Sequence, residues 1–580
     1  MANEQNKAIK GRDLIIQCLE KAGVDTIFGY PGGASMEIHQ ALTLSKKIRM
    51  VLPRHEQGAA FAACGYARAT GKPGVCLATS GPGATNLITG IADAYSDSTP
   101  MVAITGQVPT SVIGTDAFQE MDIVGATLPC VKHSYLVQTA EEIPQAIEEA
   151  FIIASTGRPG PVLVDFPKDI QQKSLVPDFS KKRKRWGLLP KQSPAKGQIN
   201  RAMELLEKAK RPIIYAGGGV ISSESSEELR RFVKKTGIPV TTTVMGLGCF
   251  PEDDPLSLQM LGMHGAVYAN IAINNADLVL ALGVRFDDRV TGKLEEFCKD
   301  AQIVHVDIDA TEINKNKIAD VPIQGDLKQT LEAFNEQAKK LKIDDWVKQI
   351  QKWKKEFAHS YAEPKKEIVP QDVIVQLSNL APKDAIISVG VGQHQMWTAQ
   401  FYGFQEPRTW MSSSGLGSMG FGLPAAMGAQ IAFPDRTVID IDGDGSFLMN
   451  IQELQTLKTE NIPVKCVILN NNHLGMVAQW EDRFYDSVRG HTYLGEANFA
   501  EIAAAFGIKS ATVTKPEQVK PALQAMLKHK GPYVLDVKYP YNHKFHGHVL
   551  PMIPTGRTYL DSMTAKGEIL KDVWQVPQFK

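Results

Sequence analysis

The 580-residue sequence predicts an α/β fold made of three doubly wound parallel-sheet units. Short apolar, β-branched runs alternate with segments of helical periodicity, and the runs end in turns rich in glycine, proline or asparagine. Two stretches without apolar periodicity then divide the chain into three parts of comparable size.

The N-terminal unit, residues 1–175, contains short strands at Thr26 to Phe28, Met50 to Leu52, Gly74 to Ala78, Met101 to Ile104 and Val162 to Asp165, with helical stretches between them. Their exits carry the polar sequences GYPGG, RHEQG, TSGPGATN and TGQVPTSVIGTDAFQE. A linker occupies residues 176–199, and its basic run Lys181 to Arg185 reads as a solvated tether. The central unit, residues 200–345, has strands beginning at Arg211, at Pro239 to Thr243, at Leu278 to Leu282 and at Ile303 to Asp307. Gly217, Gly218 and Gly219 follow the first of these and let backbone approach a pyrophosphate, but Ser222 breaks the GxGxxG fingerprint, which disfavours an NAD-type site. Residues 346–369 read as a helix and second linker, and 370–542 form the third unit. The tail, 543–580, reads as a lid; His543, His546 and His548 lack a partner carboxylate or thiolate for a metal tract.

Composition narrows the function class. Hydrophobic residues make up 43% and charged residues 22%, as in soluble globular proteins. Lys plus Arg equals Asp plus Glu at 63 each, so no global field favours nucleic acid or an anionic membrane. The seven cysteines are scattered and never form CxxC, which argues for a reducing compartment and against zinc. The start, MANEQNKAIKGRD, shows neither an apolar signal core nor an Arg- and Ser-rich amphipathic segment, and a cytoplasmic location is expected.

The most informative stretch runs from Thr437 to Val477. A β-branched run ends at Gly443-Asp444-Gly445. A helix follows, with Phe447, Ile451, Leu454 and Leu457 on one face and Glu453, Lys458 and Glu460 left to solvent. A second apolar run stops at Asn470, Asn471 and Asn472. Ligands of an open parallel sheet lie at the carboxyl ends of its strands, so Asp444 and Asn471 should face one place. A carboxylate and an amide oxygen suit Mg²⁺, which keeps few protein ligands and completes its octahedron with phosphate oxygens and water. A diphosphate held through Mg²⁺ is therefore expected.

GDG followed by NN resembles the motif of the thiamine diphosphate enzyme family. The resemblance implies Asp444, Asn471 and the main-chain carbonyl of His473 as metal ligands. It also implies one carboxylic acid beside the aminopyrimidine ring, for which RHEQG supplies Glu56, and a segment that bends the cofactor, for which SSSGLGSMGFG supplies the Gly417 carbonyl and the bulky Met419.

A narrower resemblance, to the catalytic subunit of the acetohydroxyacid synthase family, rests on GQVPTSVIGTDAFQE, MLGMHG, RFDDRVTG, VGQHQMW and GMVAQW. It implies three domains: pyrimidine-binding, central FAD-binding and diphosphate-binding. The catalytic residues implied are Glu56, Gln119, Lys168, Arg289, Met419 and Trp480. The implied thiamine contacts add Pro31, Gly32, Gly83 and Asn86 from the first unit. From the third they add Val391, Gln393, His394, Gly417, Gly443, Gly445, Ser446, Gly475 and Met476. FAD contacts are implied at Arg158, Gly217, Gly218, Gly219, Arg285, Asp307 and Asp326, with Met263, His264 and Gly283 also at a cofactor, the flavin having no redox role. The reaction implied is decarboxylation of pyruvate and condensation of the hydroxyethyl unit with a second pyruvate or 2-ketobutyrate. Arg289 would hold the second carboxylate and Trp480 would select the acceptor. A homo-oligomer with active sites between subunits is implied, with a separate small regulatory subunit as a further partner. Two rivals are a flavin-redox pyruvate oxidase on the same fold and a non-catalytic nucleotide-binding module.

Overall fold

The computed structural model describes residues 8–177, 192–361, 364 and 366–541. They form three α/β units, each built on a six-stranded, wholly parallel sheet. The N-terminal sheet is ordered Arg49–Val51, Thr26–Gly29, Gly74–Ala78, Met101–Gln107, Pro161–Pro167, His133–Leu136. The C-terminal sheet is ordered Trp410–Ser412, Ile386–Val389, Val438–Gly443, Lys465–Asn470, Tyr533–Lys538, Lys509–Val513. Counted along each unit, both sheets run 2-1-3-4-6-5, a repeat of topology with no residue-level repeat to announce it. The central sheet runs Ser257–Met260, Val240–Thr242, Pro212–Ala216, Leu278–Leu282, Gln302–Asp307, Val321–Gln324. That is the order 3-2-1-4-5-6, whose reversal point opens a ligand crevice at the carboxyl ends of the strands.

The N- and C-terminal units share a hydrophobic core containing Phe28, Phe61, Phe421 and Phe447. At its centre the helices Glu56–Thr70 and Gly422–Ala432 cross so closely that a Cβ on Gly65 would meet the Ala425 carbonyl at 2.0 Å, and one on Gly428 the Ala62 carbonyl at 1.9 Å. The run of small residues in the first helix is thus a contact surface; bulk is supplied at its edge by the Phe61 and Phe421 rings, 5.4 Å apart.

Several elements differ from the expectation. The edge strands His133–Leu136, Ser257–Met260 and Val321–Gln324 were not legible as apolar runs, because an edge strand needs no continuous apolar sequence. The helix expected after Asp444 is two helices, Asp444–Leu448 and Glu453–Thr459. Phe447, Leu454 and Leu457 are buried as the periodicity requires, but Glu453 is buried too. The Asp344–Glu356 helix is packed on the central unit, burying Trp346 and Trp353 at right angles with ring centroids 5.7 Å apart. Among the described residues no helix is long and apolar enough to cross a membrane. His543, His546, His548 and Lys181 to Arg185 lie outside the described residues.

Candidate active site

In the C-terminal sheet the order reverses between Ile386–Val389 and Val438–Gly443, and the exits of these strands open a cleft. Val391, Gln393, His394, Met419, Gly443, Asp444, Gly445, Ser446, Asn471, His473, Gly475 and Met476 line it together. Sequence reasoning missed Gly392, Leu469, Leu474, Val477 and Tyr539, which also line it. Tyr539 was findable in principle, since it follows Tyr533–Lys538, the strand beside Lys465–Asn470.

Glycines bring backbone to the wall. A Cβ on Gly475 would meet Gln393 Oε1 at 2.3 Å, and one on Gly443 the His394 ring at 2.6 Å. Gln393 Nε2 donates to Gln479 Oε1 at 2.8 Å, and Ser446 Oγ accepts from the N–H groups of Val391 at 3.3 Å and Gly420 at 3.0 Å. Opposite, Asn471 Nδ2 donates to the Tyr539 hydroxyl at 3.3 Å, while Asn471 Oδ1 accepts from the His473 N–H at 3.1 Å. The His473 ring stacks on Tyr541, with centroids 5.0 Å apart, and its Nδ1 lies 2.8 Å from the Asn471 carbonyl.

Asp444 is the electrostatic centre. Its Oδ1 accepts from the Gly445 N–H at 2.9 Å, whereas Oδ2 is buried with no hydrogen-bond partner among the described residues. Burial pushes its carboxyl up to about 6. An orphaned carboxylate oxygen beside a buried amide is the donor set of a hard cation. Among the described residues no three His, Cys, Asp or Glu side chains gather as a cage, and Mg²⁺ bound chiefly by phosphate and water needs none.

In the N-terminal sheet the equivalent reversal lies between Thr26–Gly29 and Gly74–Ala78. Pro31 and Gly32 follow the first strand, and Gly83 and Asn86 lie in the short Pro82–Asn86 helix after the second. A Cβ on Gly32 would meet the Thr79 side chain at 2.5 Å. Glu56, the first residue of its helix, is buried; its Oε2 accepts from Asn86 Nδ2 at 3.0 Å, and a Cβ on Gly83 would lie 3.2 Å from its Oε1. Gln119 adopts a left-handed backbone, φ 61°, against Gly81, and Lys168 opens the Lys168–Gln172 helix. Glu56 does not line the Asp444 cleft of its own chain. Trp480 and Gly417 also lie outside that lining: Trp480 is 38% exposed, packed on Phe484 at 5.0 Å, and Gly417 has open space around it.

In the central sheet Gly217, Gly218 and Gly219 leave one strand at the reversal point and Gly283 leaves its neighbour. A Cβ on Gly217 would meet the Gly283 carbonyl at 2.4 Å and one on Gly219 the Gly283 Cα at 2.6 Å, so these glycines are needed for backbone contact between the two exits. Asp307 ends the next strand, its carboxyl pushed up to about 6 by burial. Arg285 donates to the Ser96 carbonyl at 3.2 Å, and Asp326 caps the Leu327–Gln337 helix through the Gln329 N–H at 3.0 Å. Arg158 is engaged by Glu312 at 2.6 Å and Asp309 at 3.6 Å. Arg289 is largely exposed, its Nη1 3.8 Å from Met263 Sδ, and the His264 carbonyl accepts from Gln400 Nε2 at 2.7 Å.

Family comparisons agree with this layout. The N-terminal TPP binding domain of thiamine pyrophosphate enzymes matches residues 9–126, the central domain 199–334 and the C-terminal TPP binding domain 390–537. Acetolactate synthase 3, chloroplastic, of Brassica napus is 56% identical over 571 residues, covering 96% of this chain and 87% of that protein. Acetolactate synthase, chloroplastic, of Arabidopsis thaliana is 55% identical over 96% of this chain and 84% of its own length; the Zea mays acetolactate synthase 1, chloroplastic, is 55% identical over 95% and 88%. The expected cytoplasmic location is contradicted by these relatives, each of which is named as chloroplastic. Scattered cysteines speak to redox state and not to which compartment supplies it. The parallel-sheet units, the three domain matches and these relatives together establish that the chain belongs to the acetolactate synthase family of thiamine pyrophosphate enzymes.

Proposed function

We propose that the Asp444 cleft binds thiamine diphosphate through Mg²⁺ and that the chain uses it to decarboxylate pyruvate and join the two-carbon remainder to a second pyruvate or to 2-ketobutyrate, giving 2-acetolactate or 2-aceto-2-hydroxybutyrate. The observation that carries the reading is the buried, unpartnered Asp444 Oδ2 at the reversal point of the sheet, with Asn471 beside it. Asp444, Asn471 and the His473 carbonyl are the metal ligands in this reading. We assign residues 1–175 to the pyrimidine ring, 200–345 to FAD and 370–542 to the diphosphate.

When bound, thiamine diphosphate supplies the carbanion chemistry at its thiazolium C2 that no side chain offers. Glu56 holds a proton at the aminopyrimidine ring, and Asn86 fixes the orientation of its carboxylate. The Gly417 carbonyl and Met419 would hold the cofactor from the C-terminal segment, the carbonyl as an acceptor for its amine and Met419 as an apolar support. Arg289, exposed and planar, suits the second ketoacid's carboxylate, and Gln119 and Lys168 are further catalytic residues of this reading. On family resemblance the working site pairs Glu56 of one copy with the cleft of another, which makes a homodimer the minimum; the lining of the Asp444 cleft, which does not include Glu56 of the same chain, is consistent with that pairing. The 3-2-1-4-5-6 order and the glycines at its reversal support FAD in the central unit, as a structural group. A small regulatory subunit is a further proposed partner, on family resemblance.

The test is acetolactate formation from pyruvate by the purified protein with and without thiamine diphosphate, Mg²⁺ and FAD. Acetolactate formed only with thiamine diphosphate and Mg²⁺ is expected. Oxygen-dependent acetyl phosphate formation would instead identify a pyruvate oxidase.

A further inference from the structure

The segment that carries Gly417 and Met419 is fixed by acids of the N-terminal unit. Arg68, near the end of the Glu56–Thr70 helix, donates through Nη2 to Asp93 Oδ2 at 3.1 Å and Asp97 Oδ2 at 3.0 Å, and through Nη1 to the Ser412 carbonyl. Its guanidinium lies 4.9 Å from the Phe421 ring centroid. Asp93 Oδ1 accepts from the Ser413 hydroxyl, whose oxygen in turn accepts from the Ser418 N–H at 2.7 Å. Asp97 takes the backbone itself, accepting from the Ser414 N–H at 2.9 Å and the Gly415 N–H at 2.7 Å. Both carboxylates and the guanidinium are almost wholly buried.

The far end of the segment is pinned by Gly420 N–H on Ser446 Oγ at 3.0 Å. Between the two pins Leu416 is exposed, and Gly417, at φ 73°, has nothing within 4 Å of a Cβ position among the described residues. Little else holds residues 416–417, so their position is inherited from the pins. The approach to Asp97 is also tight: a Cβ on Gly415 would meet Asp97 Oδ1 at 2.9 Å and Ser96 Cβ at 3.0 Å.

We propose that Asp97, supported by Arg68 and Asp93, is a positioning residue for the reaction: it sets from the N-terminal unit where the C-terminal segment presents the Gly417 carbonyl and Met419 to the cofactor's rings. The inference rests on the thiamine diphosphate reading above. Bonds to a buried, charged acceptor hold the two partly exposed amides, and a misplacement of about 1 Å at a reacting group costs on the order of 100-fold in rate.

Two variants separate positioning from folding. Asp97→Asn keeps shape but replaces one acceptor with a donor facing N–H groups. Gly415→Ala keeps every charge and pushes the segment off Asp97. Hydrogen exchange across residues 412–420 is measured in the full chain without cofactor, and kcat, the pyruvate KM, and the affinities for thiamine diphosphate and for pyrophosphate with Mg²⁺ in the complete enzyme. In Asp97→Asn, exchange at 414 and 415 should quicken about 10- to 100-fold, as loss of charge-assisted bonds implies. Both variants should lose about 10- to 100-fold in kcat, with pyruvate KM changing less than about 3-fold. Thiamine diphosphate should bind more weakly while pyrophosphate binding is retained. Unchanged exchange in Asp97→Asn, unchanged kcat in both variants, or parallel loss of pyrophosphate binding would each overturn the inference. Failure of the unaltered enzyme to need thiamine diphosphate would instead sink the underlying functional reading, and the exchange result stands apart from it.

Discussion

The backbone N–H of Arg54 donates to both carboxylate oxygens of Glu453, at 2.9 and 3.1 Å, joining the segment before the Glu56 helix to the segment after the Asp444 turn. Thr456 Oγ1 donates to the same carboxylate at 2.8 Å. These bonds lower its proton affinity, but burial outweighs them and pushes the carboxyl up to about 7.

The sign of the pH effect follows from that value. A carboxyl whose folded pKa lies above its unfolded one, about 4.3, contributes stability that is complete below the unfolded pKa and is lost as pH rises through the folded pKa. Glu453→Gln removes the titration. Its thermal midpoint relative to that of the unaltered protein should therefore rise between pH 5 and about 8, by the equivalent of at most about 3 kcal/mol. A difference that stays flat across that range would show that Glu453 is not held protonated.

Asp444→Ala removes the orphaned Oδ2 at the cleft. The variant should lose Mg²⁺-dependent thiamine diphosphate binding and keep bound FAD, because the flavin reading places it in a separate unit with its own sheet. Loss of both cofactors in a variant with unchanged circular dichroism would contradict that division.

Trp480→Leu tests acceptor selection. The ring is 38% exposed and packs on Phe484, available to a ligand from one side. One methylene in an apolar contact is worth about 1 to 3 kcal/mol, so the variant should lose most of a preference for 2-ketobutyrate that lies in the range of about 10- to 200-fold. The measurement is the ratio of acetohydroxybutyrate to acetolactate at fixed substrate ratio. An unchanged ratio in an active variant would make Trp480 a packing residue.

The parts of the fold and cleft legible in the sequence were those with local causes. Val438–Gly443 and Lys465–Asn470 are dense β-branched runs ending at polar exits, and neighbouring strand ends bring Asp444 and Asn471 to one cleft. Contacts between segments hundreds of residues apart left no such trace. Glu453 looks like a solvent-facing helix residue until Arg54 is known to meet it, and Asp97 looks like a surface acid until residues 414 and 415 arrive. The helix break before Glu453 was hidden because Phe447, Leu454 and Leu457 keep a helical spacing across it and share one core.

In the proposed enzyme Glu56 of one copy completes the Asp444 cleft of another. Glu56→Gln alone should cut turnover by roughly 10²- to 10⁴-fold, the range of lost acid-base work, and Asp444→Ala alone should be inactive. The direct measurement is acetolactate formation after the two variants are unfolded, mixed in equal amounts and refolded together. Random pairing by twofold symmetry gives mixed dimers with one intact site, so activity should recover to about one quarter of that of unaltered protein refolded the same way. Mixed dimers that form but recover no activity would contradict the claim and place Glu56 at the cleft of its own chain.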